Sequence, residues 1–257
     1  MHPIIFRFGP IVIYSYGVWV VIGLISGLAL TLRTARQDGI PQEVIFDLAF
    51  WLLFFGILGA RLLYVMFDLP YFKSRPLEAI QIWKGGFVFY GGVFSSLLAS
   101  LFYIRRHRLN FWQMADLVAP ALALGQGIGR FGCFSAGCCY GRPTHLPWAI
   151  TFKDPQSLAP IGIPLHPTQL YHALSCFLIF FILILIKKRK LTAYGQGQLF
   201  FLYLMLHSTF RFFIEFFRGD PRPRLLPFLT ITQGIALIIT IGAFAFYLYR
   251  KKPLSNH

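Results

Sequence analysis

Seven long apolar runs, near residues 11–32, 45–67, 87–104, 114–132, 168–186, 198–217 and 228–249, constrain this chain more than any other feature. A bilayer core of ~30 Å is crossed by about 20 apolar residues in a helix. Lipid cannot satisfy free backbone polar groups, so a helix is the form such a run takes. The runs therefore predict an all-α, polytopic integral membrane protein with about seven transmembrane helices. Composition agrees, since only 13% of the residues are charged, where a soluble domain has roughly 25%. That excludes a disordered chain, a soluble enzyme and a disulfide-rich secreted module. The fourth run is the least regular, being short and interrupted by Pro120, Gly125, Gly127, Gly129 and Gly132. The first is long and has no Ala-x-Ala exit, so it reads as a span rather than a cleavable signal peptide. No linker, repeat or low-complexity stretch divides the sequence, and residues 1–257 read as one domain.

The formal charge is +15. On a soluble protein this would suggest nucleic acid. Here the basic residues flank apolar runs, so anionic membrane lipids are the expected partner and nucleic acid is not. Seven spans put the termini on opposite sides. Loops 33–44, 105–113, 187–197 and 250–257 hold 12 Lys/Arg in 40 residues, and loops 1–10, 68–86, 133–167 and 218–227 hold 9 in 74. The dense runs Arg105-Arg106-His107-Arg108, Lys187-Lys188-Arg189-Lys190 and Arg250-Lys251-Lys252 all fall in the first set. Positive charge stays in the cytoplasm, which places the N-terminus outside and the C-terminus inside.

Arg61, Arg130 and Arg211 lie within the runs themselves. An arginine at mid-bilayer costs about 2.5–3.5 kcal/mol even on insertion scales and marks a functional site by default. In this topology all three sit in the outer half of outward-running spans, with Arg218 just beyond the sixth. Tyr16 and Tyr90 open spans at the same level, so five segments converge there. Asp47 and Asp116 lie near the inner ends and read as structural. At about 100° per residue, His207, Arg211, Glu215 and Arg218 fall within about 80° of one helix face, which must point into the bundle. Glu215 can pair with an arginine at i−4 or i+3, which leaves about three of the four arginines without an acidic partner. Backbone carbonyls and snorkelling could satisfy them. The alternative is a pocket for an anion at the outer interface, where phospholipid phosphate is abundant and the guanidinium fork matches two of its oxygens.

Residues 125–142 read GQGIGRFGCFSAGCCYGR. The dinucleotide-like spacing Gly127-x-Gly129-x-x-Gly132 lacks the strand and βαβ context that would give it meaning. Cys133, Cys138 and Cys139 fit zinc spacing poorly, because adjacent cysteines do not easily face one ion. Small-residue packing is the expectation, ahead of a Cys133–Cys138 disulfide and of metal. The run His166-Pro167-Thr168-Gln169-Leu170-Tyr171 opens the fifth span, with Thr168 as candidate cap.

In this order, Tyr16-Gly17, Gly59-Ala60-Arg61, Gly91-Gly92 after Phe89-Tyr90, Gly129-Arg130 through Gly141-Arg142, the His166–Tyr171 run and Arg211–Glu215–Arg218 resemble the bacterial phosphatidylglycerol–prolipoprotein diacylglyceryl transferase family. The resemblance covers nearly the whole chain. It implies a seven-helix enzyme of the cytoplasmic (inner) membrane with its site toward the periplasmic face. Such an enzyme moves diacylglyceryl from phosphatidylglycerol to the lipobox cysteine of a prolipoprotein signal peptide, forming a thioether and releasing glycerol phosphate. It further implies that Arg130 contacts the lipid headgroup, that Arg211 is a second essential arginine, and that Tyr16, Gly141, Glu215 and Arg218 line the pocket. Arg61 and His166 join the expected binding residues. The sequence departs from well-studied members at Tyr90, where they carry His, at Cys133 and Cys138, where they carry Asn and Glu, and at His172, where they carry Glu. A phenol ordinarily ionises near pH 10 and is a poor base, so Tyr90 is expected to position the thiol or phosphate. No cofactor or metal is expected. A membrane thiol oxidoreductase using Cys133, Cys138 and Cys139, and a non-catalytic phospholipid-binding or transport protein, are the readings from other classes.

The charge asymmetry gives a direct test. In intact cells, an alkylation-accessible tag near residue 145 should label from outside, and tags near 108 and 189 only after the inner membrane is opened. Protection at 145 together with labelling at 189 would reverse the orientation.

Overall fold

A computed structural model of the protein describes residues 2–8, 11–189 and 196–251. The ends of two basic runs, Lys190 and Lys252, lie outside the described residues, as does most of loop 187–197 and of segment 250–257. The chain is mostly helical, and its described residues contain seven helices of 18 or more residues. Elements run β1 (Ile4–Phe8), β2 (Ile11–Tyr14), α1 (Ser15–Gln37), α2 (Gln42–Phe67), the short α3 (Leu69–Ser74) and α4 (Pro76–Ile80), and α5 (Phe89–Arg106). They continue with α6 (Phe111–Ala136), β3 (Ile150–Thr151), β4 (Pro164–Leu165), α7 (Thr168–Lys188), α8 (Gln198–Glu215), β5 (Arg224–Leu226), β6 (Leu229–Thr230) and α9 (Ile231–Lys251). The strands form three antiparallel hairpins, a small β component that the apolar runs gave no sign of. The first takes residues 11–14, expected as the start of a span, into pairing with Ile4–Phe8, so the helix begins at Ser15.

Five helices, α1, α2, α6, α7 and α9, are long and apolar enough to cross a membrane. In α8 the polar series His207, Arg211 and Glu215 lowers the mean, and α5 ends in Arg105 and Arg106. The irregular fourth run becomes one continuous helix, α6, with Pro120 inside it. Small buried neighbours, Ala119, Ala121 and Ala123, let other segments pack closely around it. At Gly125 the carbonyl oxygen lies 2.7 Å from where a Cβ on Gly23 would stand, so α1 and α6 cross at a distance that only glycine permits.

The contacts group the chain into two compact units, Met1–Thr31 with Trp112–His257, and Leu32–Phe111. In the larger unit Ala119, Ala123, Ile179, Leu183, Leu199 and Tyr203 form the core that joins α6, α7 and α8. Asp116 is fully buried and caps α8 from α6: its two carboxylate oxygens accept from the Gly197 and Phe200 amides, each at 3.0 Å. Negative charge at a helix N-terminus also complements the dipole. Residues 137–167 fold over the end of α6 on a small core of their own, built on Phe152, Ala159 and Leu165. The smaller unit is dominated by α2 packed on α5, pinned by Ser96 Oγ donating to the Leu52 carbonyl at 2.8 Å and Tyr103 OH to Asp47 at 3.4 Å.

Asp116→Ala should lower stability by about 2 kcal/mol, because it strips a buried helix start of two acceptors. Asp116→Asn, which keeps one carbonyl oxygen, should fall between. Thermal unfolding in detergent checks this, and parent-like melting of the Ala variant would show the cap to be dispensable.

Candidate active site

Arg130 lies half-buried near the end of α6, its Nη1 4.0 Å from Cys133 Sγ. Among the described residues no carboxylate comes within ion-pair distance of it. Arg211 on α8 donates Nη1 to His172 Nε2 at 2.7 Å, which requires that ring nitrogen to be unprotonated. Its Nη2 lies 3.2 Å from Glu215 Oε2, the i−4 pairing that the spacing allows. Glu215 is buried, and its Oε1 accepts from Thr230 Oγ1 at 3.3 Å. His172 is itself buried on α7, and the charges of Arg130, Arg211 and Arg218 all act on its ring.

Arg218 is placed differently from the expectation. α8 ends at Glu215, so Arg218 does not continue its face. Instead residues 217–219 bridge to the signature stretch after α6. The Arg142 amide donates to the Phe217 carbonyl at 2.8 Å, and the Gly219 amide to the Tyr140 carbonyl at 3.1 Å. Backbone pairing across this bridge replaces the next helical turn. The side chain of Arg218 forms a bidentate pair with Asp220, at 2.7 and 2.6 Å, and Arg222 adds a contact at 3.1 Å. The Asp220 carboxyl lies below the usual carboxylate range: burial pushes it up, but the hydrogen bond and charge of Arg218, and then Arg222, outweigh that.

Gly141 is the hinge of this bridge. A Cβ there would stand 2.5 Å from the His166 carbonyl oxygen and 2.9 Å from that of Phe217. Its amide donates to the His166 carbonyl at 3.1 Å, and the His166 amide returns a bond to the Arg142 carbonyl at 2.9 Å. The next residues complete the staple. Thr168, expected as a helix cap, instead donates Oγ1 to the Cys139 carbonyl at 2.7 Å, because Pro167 occupies the cap position. Gln169 Nε2 donates to the Cys138 carbonyl at 2.8 Å. The His166 ring meets the Tyr171 hydroxyl at 3.1 Å, which also accepts from Trp148 Nε1 at 2.8 Å.

The three cysteines are free, and their sulfurs lie within 4.8 Å of one another. The expectation that adjacent Cys138 and Cys139 do not easily face one ion is therefore corrected. Cys139 has a left-handed backbone, φ 61°, after Gly137 at φ 75°, and this turn brings both sulfurs back toward Cys133. Cys139 is held toward thiolate by hydrogen bonds from Cys133 and Cys138, with the Arg218 and Arg130 charges assisting against burial. Hydrogen bonding with Cys133 and Cys139 pushes the Cys138 thiol up.

Tyr16, in the first turn of α1, packs on α6 at Gly132, where a Cβ would come within 3.2 Å of its ring. Arg61 and Tyr90 belong to the smaller unit. Arg61 is buried, and peptide oxygens occupy all three of its nitrogens: Ala79 at 2.9 Å, Gly86 at 3.0 Å, Glu78 at 2.6 Å, Gln81 at 3.4 Å, and Gly85. These contacts match the carbonyl-satisfied alternative and give Arg61 a scaffolding job. Tyr90 is 71% exposed and its ring meets Phe89. Reasoning from the sequence missed His172 and Asp220 as partners of the arginines. The signals were there: a histidine inside an apolar helix, and an acid two residues past Arg218.

The family model for prolipoprotein diacylglyceryl transferase matches residues 3–249. The chain is 36% identical over 251 residues to a phosphatidylglycerol–prolipoprotein diacylglyceryl transferase of Clostridium tetani, covering 97% of this chain and 98% of that one. It is 36% identical over 263 residues to the protein of the same name from Trichormus variabilis, covering 99% and 92%. A third, from Geobacter sulfurreducens, is 36% identical over 222 residues, covering 85% and 82%.

The Arg218–Asp220 pair carries a pH prediction. A carboxyl held low in the folded state adds stability above its unfolded pKa, and that stability is lost as pH falls through the lowered folded value. The melting temperature should therefore drop on acidification below the ordinary carboxylate range. Asp220→Asn should lose about 1–3 kcal/mol at neutral pH and show a smaller further drop in acid. Equal acid sensitivity in parent and variant would place the titration elsewhere.

Proposed function

The chain belongs to the prolipoprotein diacylglyceryl transferase family, and from that membership we infer how its residues move the diacylglyceryl group of phosphatidylglycerol onto a prolipoprotein. It is a membrane-embedded transferase of lipoprotein biosynthesis. In our reading seven helices span the bacterial inner membrane, with the N-terminus outside, the C-terminus in the cytoplasm and the site toward the periplasm. The chain acts as one catalytic domain. Seven long helices and the sidedness of Lys and Arg support this topology. The acceptor is the lipobox cysteine thiol of the exported precursor.

The observation that carries the proposal is the contrast among the arginines. Arg61 is taken by peptide oxygens, and Arg218 by Asp220. Arg130 has no such partner among the described residues and is left for an anion. A phosphodiester is the fitting one, because two of its oxygens match the planar fork. Arg211, braced by His172 and Glu215, supplies a second cation. In the reaction a carbon–sulfur bond forms at the glyceryl carbon, and the carbon–oxygen bond to phosphate breaks. The electron pair stays on that oxygen, and the thiol proton passes to solvent. The phosphate gains one negative charge as it becomes a monoester, and fixed cations stabilise that growing charge most in a low-dielectric site. They also favour thiolate over thiol on the incoming cysteine. Tyr16 and Gly141, with His166 and Glu215, shape the walls. Tyr90 comes into this scheme through the family resemblance alone, as a group that positions thiol or phosphate.

The test is transfer to a lipobox peptide from phosphatidylglycerol, read by the peptide's mass. Arg130→Ala and Arg211→Ala should each cost ~10²–10³ or more in rate, in variants matched to the parent in thermal stability. Arg130→Lys should recover little, since it keeps charge but loses the fork. Arg218→Ala, acting through Asp220, should cost less. Tyr90→Phe should cause a moderate drop, and a loss as deep as that of Arg130→Ala would make the phenol a direct participant. Turnover within a few-fold of the parent in both alanine variants would remove the arginines from the site.

A further inference from the structure

Three free sulfurs stand together where the mechanism above makes no use of them. Cys133 comes from the last turn of α6, and Cys138 and Cys139 from the turn that follows. All three sulfurs lie within 4.8 Å of one another, and no histidine or carboxylate joins the group among the described residues. With metal–sulfur bonds of about 2.3 Å, a trigonal site needs sulfurs about 4.0 Å apart, so the cluster has to close by less than an ångström or so. The turn that brings adjacent cysteines onto one point needs left-handed backbone at Gly137 and Cys139. Such a conformation costs energy at a non-glycine residue and persists only where its surroundings enforce it. Here they do: the buried Thr168 and Gln169 hold the carbonyls of Cys139 and Cys138.

We propose that Cys133, Cys138 and Cys139 form a three-thiolate site for a soft monovalent cation of the copper(I) class, and that loading it blocks transfer. Thiolates select soft ions. A tetrahedral zinc site would call for a fourth ligand, and the cluster offers three. On binding, Cys139 enters as the thiolate, Cys133 and Cys138 release their two protons to solvent, and three metal–sulfur bonds form, with no electron transferred. Three thiolates around a single positive charge leave the loaded cluster at −2. That anion lies beside Arg130, whose Nη1 is 4.0 Å from Cys133 Sγ. The guanidinium then pairs with the cluster instead of with phosphate. This second half rests on the phosphate role of Arg130 proposed above, and the first half does not.

Reduced protein in detergent, titrated anaerobically with copper(I) against a chromogenic copper(I) chelator, tests the site. We expect one ion per chain, and X-ray absorption should count three sulfur neighbours. Cys133→Ser, Cys138→Ser and Cys139→Ser should each weaken uptake at least about tenfold, and Cys176→Ala, in the core of α7, should not. No uptake above that of the triple serine variant, uptake that survives in it, or a two-sulfur site would overturn the proposal. Copper(I) should depress transfer by the parent at least tenfold. The triple serine variant should keep most of the activity of the metal-free parent and ignore the ion. A loaded parent that transfers at full rate would refute the block. The two readings fail separately: stoichiometric uptake beside an Arg130→Ala variant that still transfers would sink the phosphate role and leave the metal site standing.

Discussion

A guanidinium does not give up its proton, so an arginine carried into an apolar helix bundle must find oxygen or an anion. The described structure answers this differently for each arginine. Arg61 collects peptide oxygens from α4 and from the segment that follows it, and in doing so ties both to α2. Arg218 takes a carboxylate from its own turn. Arg211 leans on a neutral histidine and a buried glutamate from two directions. Arg130 has none of these partners. The proposed headgroup site rests on that unequal distribution, in which the other three arginines have protein partners and Arg130 is the one without an oxygen or carboxylate among the described residues.

The scaffold depends in turn on backbone pairing at the ends of the helices. α6 and α8 are far apart in sequence, yet the stretch after one is bridged to the stretch after the other through Gly141, Arg142, Phe217 and Gly219. The segment opening α7 closes the same knot through His166, Thr168 and Gln169. Each bond is a single amide or side-chain contact worth about 1 kcal/mol net. Together they fix where Arg218 and the cysteines stand. The role of the motif His166-Pro167-Thr168-Gln169 is thereby explained in part by structure: it supplies the acceptor and donors that shape the signature turn.

The helical architecture was readable because a 20-residue apolar run in lipid has one low-energy form. Six of the seven long helices fall where the runs placed them within a few residues, and α1 starts later because Ile11–Tyr14 prefer a strand partner. The pairing of Arg211 with Glu215 was readable from i,i+4 geometry alone. The alignment of Arg218 with that face was not, since helical periodicity assumes a helix, and α8 ends at Glu215, after which residues 217–219 pair with the stretch after α6.

Legible in the residues alone were the local and the collective: apolar length, the uneven spread of Lys and Arg between the loops, and the motifs that carry the family. Those properties belong to segments, and a segment's hydrophobicity or charge does not depend on its neighbours in space. The tertiary structure decided pairing. It gave Arg61 to peptide oxygens, put His172 of α7 against Arg211 of α8, and folded Cys138 and Cys139 back onto Cys133. Each of these joins groups whose approach costs chain entropy and is repaid only by the surrounding packing, and no spacing rule along one strand of sequence encodes that balance.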